Sequence, residues 1–125
     1  LLGHSDADVL IHAICDAILG AAGLGDIGEW FPDNEPKYKG VDSRKILKKI
    51  ISDLNTKGLV VHQIDATVIC EEPKITPYKE KMKEILTTET NCSFVNIKAT
   101  TVERLGSIGR KEGIAAMASV SLLSK

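Results

Sequence analysis

The chain has 125 residues, of which 43% are apolar, 26% charged and 4% aromatic, and its formal net charge is −1. This length suits a single domain over residues 1–125, and the apolar share is enough to bury a core, which excludes wholesale disorder. A nearly neutral chain with no basic block and no apolar run of ~18 residues is not typical of nucleic-acid-binding or membrane-spanning proteins, so we expect neither partner.

Helical periodicity predicts a first helix from about Asp6 to Ala22, which Gly23 ends. Asp8, His12 and Asp16 are spaced four residues apart, so they form one polar line on an otherwise apolar helix. His12 has two interpretations. It is a zinc ligand through a neutral ring nitrogen, or it is a core histidine hydrogen-bonded to a carboxylate.

The next stretch, Gly25–Gly40, predicts a long irregular loop, because it is rich in glycine, proline and acidic residues. Loops longer than ~12 residues in a compact domain are often functional. Asp26 before Ile27-Gly28, and Asp33 after Phe31-Pro32, suit two kinds of chemistry. Their carboxylates can accept hydrogen bonds from sugar hydroxyls, or they can stabilise turns.

The rest of the chain alternates helical and strand patterns. Asp42 or Ser43 caps an amphipathic helix that ends near Thr56, with a basic face that we expect to be solvated. The further predicted elements are a strand at 59–71, a helix from 76 to about 88, and strands at 94–101 and 114–123. This order favours an α+β fold with helices on one face of a sheet. The last strand is nearly all small or apolar, so we expect cover on both its faces, supplied by a further N-terminal strand or a subunit interface.

Two groups of polar residues follow the predicted strands. Lys74 lies between a strand exit and a helix start, which suits a phosphate or a base edge as well as a plain strand-to-helix turn. Thr100, Thr101 and Glu103 offer hydroxyls and a carboxylate that can orient phosphates and hold Mg²⁺, and Arg110 in a glycine-rich loop can bind an anion. There is no P-loop motif. The combination fits an enzyme that handles a phosphorylated polyol with metal ions better than it fits acyl transfer.

These segments resemble the 2-C-methyl-D-erythritol 2,4-cyclodiphosphate synthase family of the non-mevalonate isoprenoid pathway. The matching stretches run through the chain in order: HSDADVLIHAICDAILGAAGLGDIGEWFPD (4–33), DSRKIL (42–47), PKITP (73–77) and VNIKATTVERLGSIGRKEGIA (95–115). The resemblance implies an α+β subunit with a mixed sheet, and a homotrimer whose sheets pack around the three-fold axis with active sites between neighbours. It also implies a bacterial cytoplasm or a plastid stroma as the compartment.

The resemblance further implies the reaction. The substrate is 4-diphosphocytidyl-2-C-methyl-D-erythritol 2-phosphate, a small nucleotide-linked sugar alcohol. Its own 2-phosphate attacks the β-phosphorus, which closes the cyclic diphosphate and expels CMP, so the enzyme is a phosphorus–oxygen lyase that needs no nucleophile of its own. Positioning and charge stabilisation then account for catalysis.

Roles for individual residues are implied in the same way. His4 and Thr101 would orient the diphosphate and stabilise its transition state. His12 would bind Zn²⁺ or another divalent cation, and Glu103 would bind Mg²⁺ or Mn²⁺. The other expected substrate contacts are Ser5, Asp26, Ile27, Gly28, Phe31, Pro32, Asp33, Asn34 and Glu35 near the methylerythritol, Cys70, Glu71, Glu72, Pro73, Lys74, Ile75 and Thr76 around the cytidine, and Thr100, Val102, Glu103, Ser107 and Arg110 near the phosphates.

Three departures from the family pattern stand out. The family's N-terminal strand carries an Asp-x-His pair that supplies two zinc ligands, and no such pair precedes Leu1. We therefore treat the domain as N-terminally incomplete, and we expect that His12 alone does not close a zinc site. Val102 stands where the family often has Thr, and Ser107 where Phe is common. The alternative function is a non-catalytic trimeric scaffold that binds a cytidine nucleotide and lacks a complete zinc site.

Overall fold

The computed structural model describes residues 4–32, 42–69, 79–100 and 115–125, with the side chains of residues 4–6 excepted. In chain order its elements are α1 (His4–Ala22), α2 (Ile27–Trp30), α3 (Ser43–Thr56), β1 (Leu59–Ile69), α4 (Lys79–Thr90), β2 (Phe94–Thr100) and β3 (Ala115–Ser124). None of the helices in these ranges is both long and apolar enough to cross a bilayer.

The three described strands form one mixed sheet in the order β2-β1-β3. β1 runs parallel to β2 and antiparallel to β3. The ladder between β1 and β3 shifts register between Val61 and Gln63, and this irregularity adds one residue, His62, to β1. In a regular strand Val61 and Ile64, three residues apart, would face opposite sides of the sheet; the irregularity lets both be buried in the core. The sheet and its helices confirm the expected α+β class.

Helices α1, α3 and α4 cover one face of the sheet, as expected. α3 buries Ile46, Leu47, Ile50 and Leu54, while its basic side chains are exposed. The core continues into α1 and β1 through the fully buried Ile14, Ile18, Ile64 and Val68, among others. The start of α3 also matches its sequence signal. The side chain of Asp42 accepts a hydrogen bond from the backbone N–H of Arg44, which makes Asp42 the N-cap of α3.

The end of α4 comes later than predicted. The helix continues past Thr88 to Thr90, whose hydroxyl donates to the Leu86 carbonyl at 2.7 Å and accepts from the Cys92 N–H. Asn91 then adopts a left-handed conformation with φ 57°, which stops the helix. The two hydrogen bonds of the buried Thr90 hydroxyl therefore stabilise the turn that follows α4. The predicted start of this helix at 76–77 lies outside the described ranges.

The described residues cover one face of β3, and the cover that we expect on its other face, from a further N-terminal strand or a subunit interface, stays a prediction. Ala116, Ala118, Val120 and Leu122 pack against the core, but the alternate residues are exposed. Met117 is 61% exposed and Leu123 is 50% exposed. The reason is that the described helices all pack on the same face of the sheet.

The expectation of an irregular loop over Gly25–Gly40 is also wrong in part, because the stretch contains the short helix α2. Its last part, residues 33–40, lies outside the described ranges.

Candidate functional site

Several segments that carry the expected substrate contacts leave the sheet at one edge. Ile69, the last residue of β1, pairs with Thr100, the last residue of β2. On its other side Ile69 pairs with Ala115, the first residue of β3. The segments 70–78 and 101–114 therefore begin or end at the same edge of the sheet. This arrangement brings the ends of the expected cytidine and phosphate segments together.

Many of the expected site residues lie outside the described ranges, so their contacts stay predictions. They are Asp33, Asn34, Glu35, Cys70, Glu71, Glu72, Pro73, Lys74, Ile75, Thr76, Thr101, Val102, Glu103, Ser107 and Arg110. His4 and Ser5 form the described start of α1, where their backbone is helical.

The structure excludes one of the two interpretations of His12, and the zinc-ligand interpretation stays a prediction. His12 itself is exposed, so it is not a core histidine. The buried Ser43, the first residue of α3, donates its hydroxyl hydrogen bond to Asp8 Oδ1. Asp16 Oδ1 accepts from the backbone N–H of Ile27 at 2.7 Å. The two carboxylates that flank His12 thus hold the neighbouring segments against α1, and the imidazole between them stays accessible.

The short helix α2 begins at a carboxylate cap. Asp26 is its N-cap, and Asp26 Oδ1 accepts from the Glu29 N–H at 2.9 Å. The turn-forming role of Asp26 is therefore confirmed for one carboxylate oxygen. Among the described residues, the Asp26 carboxylate accepts this hydrogen bond from Glu29 through Oδ1, and the Asp26 side chain is exposed. The spacing of Asp26 and Glu29, an acidic cap with Glu three residues on, is the signal that could have predicted α2.

The approach to α2 is fixed by close contacts. Trp30 Nε1 donates to the Leu24 carbonyl at 2.9 Å, and Ile27, Trp30 and Phe31 pack against the core. Gly25 has φ +90°, and a Cβ atom there would lie 2.6 Å from Glu29 Oε2. The left-handed backbone angle favours glycine here, and a larger residue would also displace the flexible end of the Glu29 side chain. Residues 24–31 therefore form a turn that is held in place by hydrogen bonds and packing, and Asp26 and Gly28 are exposed to solvent on it.

The described residues do not by themselves make a metal site. Among them there is no group of three or more His, Cys, Asp or Glu side chains placed to hold an ion. His12 is exposed and chemically suited to zinc, but one imidazole does not satisfy a zinc ion, which takes three or four protein ligands. Glu103, expected to bind magnesium, lies outside the described ranges.

Neither described cysteine is suited to act as a nucleophile. Cys15 and Cys92 are free thiols, and both are buried. Burial, with a smaller contribution from the neighbouring Asp16, raises the pKa of Cys15 to about 12. Cys92 Sγ donates to the His62 carbonyl at 3.2 Å. Because the thiolate is the reactive form, these two residues contribute packing rather than covalent chemistry.

The sheet face opposite the helices has its own chemistry. We call it the uncovered face and define it by Asp65, Phe94, Lys98, Met117 and Leu123. Phe94 is 64% exposed, and the apolar Met117 and Leu123 accompany it. Near the centre, Asp65 accepts from Lys98 Nζ at 3.0 Å, and a second bond comes from the Asn96 amide at 3.1 Å. These two bonds lower the pKa of Asp65.

Comparison with known proteins identifies the relatives of this chain. A family model described as the YgbB family matches residues 1–123. A protein of Desulforamulus reducens named 2-C-methyl-D-erythritol 2,4-cyclodiphosphate synthase is 55% identical over 124 residues, which cover 98% of this chain and 79% of that protein. A "Bifunctional enzyme IspD/IspF" of Campylobacter hominis is 54% identical over 122 residues, 98% of this chain and 33% of that protein.

A solved structure gives the same result in three dimensions. The CDP complex of IspF from Plasmodium falciparum matches with a TM-score of 0.83 and 34% identity, over 99% of this chain and 76% of that one. The chain thus spans about a third of the length of its bifunctional relatives and about four-fifths of the length of the single-function relative named above.

Proposed function

The chain belongs to the YgbB family, and on that premise we propose that it converts 4-diphosphocytidyl-2-C-methyl-D-erythritol 2-phosphate to 2-C-methyl-D-erythritol 2,4-cyclodiphosphate and CMP, in isoprenoid precursor synthesis. The observation that carries the proposal is the 55% identity, over 98% of the chain, to a relative named for this activity. The second activity of the bifunctional relatives is not part of the proposal, because the match covers about a third of their length.

In the proposed reaction an oxygen of the substrate's 2-phosphate forms a bond to the β-phosphorus. The bond between that phosphorus and the oxygen bridging to the α-phosphorus breaks, and CMP leaves with the bridging oxygen and its electron pair. The nucleophile and the leaving group both belong to the substrate, so the enzyme holds the two phosphates in line and stabilises the charge that develops. The burial of Cys15 and Cys92 accords with a mechanism that has no protein nucleophile.

Different segments would hold different parts of the substrate. His4 and Ser5 are in the first turn of α1, where the helix N-terminus favours an anion, and we assign them with Thr101 to the diphosphate. The exposed Asp26 carboxylate supports a contact with the methylerythritol hydroxyls. The edge at which β1 and β2 end supports a shared site for the cytidine segment and the phosphate segment. The CDP bound by the Plasmodium falciparum relative supports a cytidine nucleotide as the ligand.

The proposal includes ions and assembly. We assign Zn²⁺ or another divalent cation to His12 and Mg²⁺ or Mn²⁺ to Glu103; their further ligands would come from outside the described residues. We also propose a homotrimer, because packing three sheets around a common axis would bury the uncovered face with its exposed Phe94, Met117 and Leu123. The free thiols of Cys15 and Cys92 support a reducing compartment, a bacterial cytoplasm or a plastid stroma.

The test is turnover by the purified full-length protein with Zn²⁺ and Mg²⁺, measured as CMP release by chromatography. We expect release by the wild type and a loss of at least about a hundredfold in kcat for Thr101→Val, in line with removal of a group that stabilises transition-state charge. Ser52→Ala, an exposed change on α3, is the control and should retain full activity. If the protein bound CMP tightly but released no CMP from the substrate, the proposed enzymatic function would be wrong. That result would favour the non-catalytic nucleotide-binding scaffold.

A further inference from the structure

We infer that Asp16 is a positioning residue for the polyol end of the substrate, acting through the backbone of Ile27. This inference rests on the proposed function, because it concerns how the Asp26–Gly28 segment is held for that reaction. Asp16 is exposed on α1 and is eleven residues away from Ile27 in the sequence. Its hydrogen bond of 2.7 Å to the Ile27 N–H is a contact between elements.

Two carboxylates together build the first turn of α2. Ile27 is the first helical residue after the N-cap, and its N–H is one of the donors that a helix leaves without an internal partner. Asp16 accepts from that N–H, while Asp26 accepts from the N–H of Glu29 two residues later. A helix of four residues does not sustain itself in water, so its conformation depends on such contacts. Asp16 therefore fixes the backbone of Ile27, the residue next to Asp26.

The same contact sets where this turn lies on α1. Asp16 is four residues, about one helical turn or ~6 Å along the axis, from the exposed His12. Its bond to Ile27 ties the Asp26 turn to the part of α1 that carries His12. The connection between α1 and the Asp26 turn is short and restrained, since the Leu24 N–H donates to the Leu19 carbonyl at 2.8 Å. Loss of Asp16 would let the Asp26 carboxylate move relative to the α1 residues assigned to the substrate.

The role requires an acceptor atom at Oδ1 and does not require a charge. An asparagine amide oxygen can accept the same hydrogen bond, whereas alanine cannot. Asp16→Asn and Asp16→Ala therefore separate positioning from a direct electrostatic role. Asp53→Ala is the matched control, because Asp53 is a partly buried aspartate on α3 whose carboxylate pairs with Lys49 at 3.6 Å.

The experiment measures amide hydrogen exchange at Ile27, the KM for the substrate, kcat and the affinity for CMP in the full-length protein. Asp16→Ala should speed Ile27 exchange and raise KM, each by about tenfold, which corresponds to the loss of one hydrogen bond to a charged group. The kcat should change less than about threefold and the CMP affinity should not change. Asp16→Asn should keep both exchange and KM near the wild-type values.

Four outcomes would overturn the inference while the wild type still turns over substrate, so that the proposed function stands. They are unchanged Ile27 exchange in Asp16→Ala, faster exchange with an unchanged KM, a defect in Asp16→Asn as large as in Asp16→Ala, and the same rise in KM for Asp53→Ala. A wild type that never releases CMP would instead overturn the proposed function, and this inference with it.

Discussion

Thr100, the last residue of β2, lies opposite Ile69, the last residue of β1, in the parallel register of the sheet. In a parallel pair both chains leave the sheet at the same edge, and binding sites in α/β sheets commonly form beyond the carboxyl ends of such strands. The residues that follow Ile69 begin the segment assigned to cytidine, and those that follow Thr100 begin the segment assigned to the phosphates. This relationship supports one site built from two distant parts of the sequence.

Lys74 should contribute to nucleotide affinity. Lys74→Ala removes a cation from the cytidine segment, and loss of a charge-assisted hydrogen bond costs about 1.5–3 kcal/mol, so CMP binding should weaken about tenfold or more. Isothermal titration with CMP measures this change. Zinc affinity should not change, and Lys81→Ala, an exposed lysine on α4, is the control. If Lys74→Ala lowered both CMP and zinc affinity, the cytidine segment would be misassigned.

The uncovered face should drive assembly. Met117→Glu places a charge among exposed apolar residues that the proposed trimer would bury, and an unpaired buried charge is strongly unfavourable. Light scattering after size-exclusion chromatography should give a trimer mass for the wild type and a monomer mass for the variant. Ser52→Glu, on the exposed side of α3, should leave the trimer intact. A variant that stays trimeric would place the interface on another surface.

The core between α3 and the sheet should be sensitive to a cavity. Ile50 is fully buried, and Ile50→Ala should lower the free energy of unfolding by about 2–5 kcal/mol. The neighbouring Ile51 is only half-buried, so Ile51→Ala is a matched control and should cost clearly less. Urea unfolding followed by circular dichroism compares the two. Equal losses would mean that burial at Ile50 does not determine the stability of this helix.

The Cys15 thiol should be inert in the folded protein. Its pKa is raised from 9.0 to about 12, so the thiol stays protonated and buried near pH 8, and iodoacetamide should label it only after unfolding. The unfolded chain ionises Cys15 first, near pH 9. The stability that this thiol contributes is therefore complete below pH 9 and is lost as the pH rises from about 9 to about 12.

Mass spectrometry of the labelled peptide and urea unfolding of wild type and Cys15→Ala against pH measure these two effects. The stability advantage of the wild type over Cys15→Ala should shrink in the alkaline range. Labelling of Cys15 in the native protein as fast as in urea would contradict the account.

The long periodic elements could be read from the sequence, since each has a local cause. The apolar face of α3, with Ile46, Leu47 and Ile50, requires a helix of about the observed length whatever surrounds it. The turn at α2 has a local start signal in Asp26 and Glu29, but its placement against α1 depends on Asp16, eleven residues before Ile27, and periodicity does not show that contact. Contacts of that kind appear only when the chain has folded.

The environment of the polar line on α1 shows the same limit. Helical spacing places Asp8, His12 and Asp16 on one side, but spacing alone does not show what faces that side. In the structure Ser43 meets Asp8 and Ile27 meets Asp16, which leaves His12 exposed. The composition of β3 likewise predicts cover on both faces, but it does not specify which neighbour would cover the exposed Met117.

The central claim is that the substrate's own phosphate, and not water, attacks the β-phosphorus. The most direct measurement is phosphorus-31 NMR of the reaction of the full-length protein in water enriched in oxygen-18. The account predicts a cyclic diphosphate with two coupled phosphorus signals, together with CMP, and no heavy oxygen in either product. Two monophosphates, or oxygen-18 in CMP or in the sugar phosphates, would show hydrolysis by water and would contradict it.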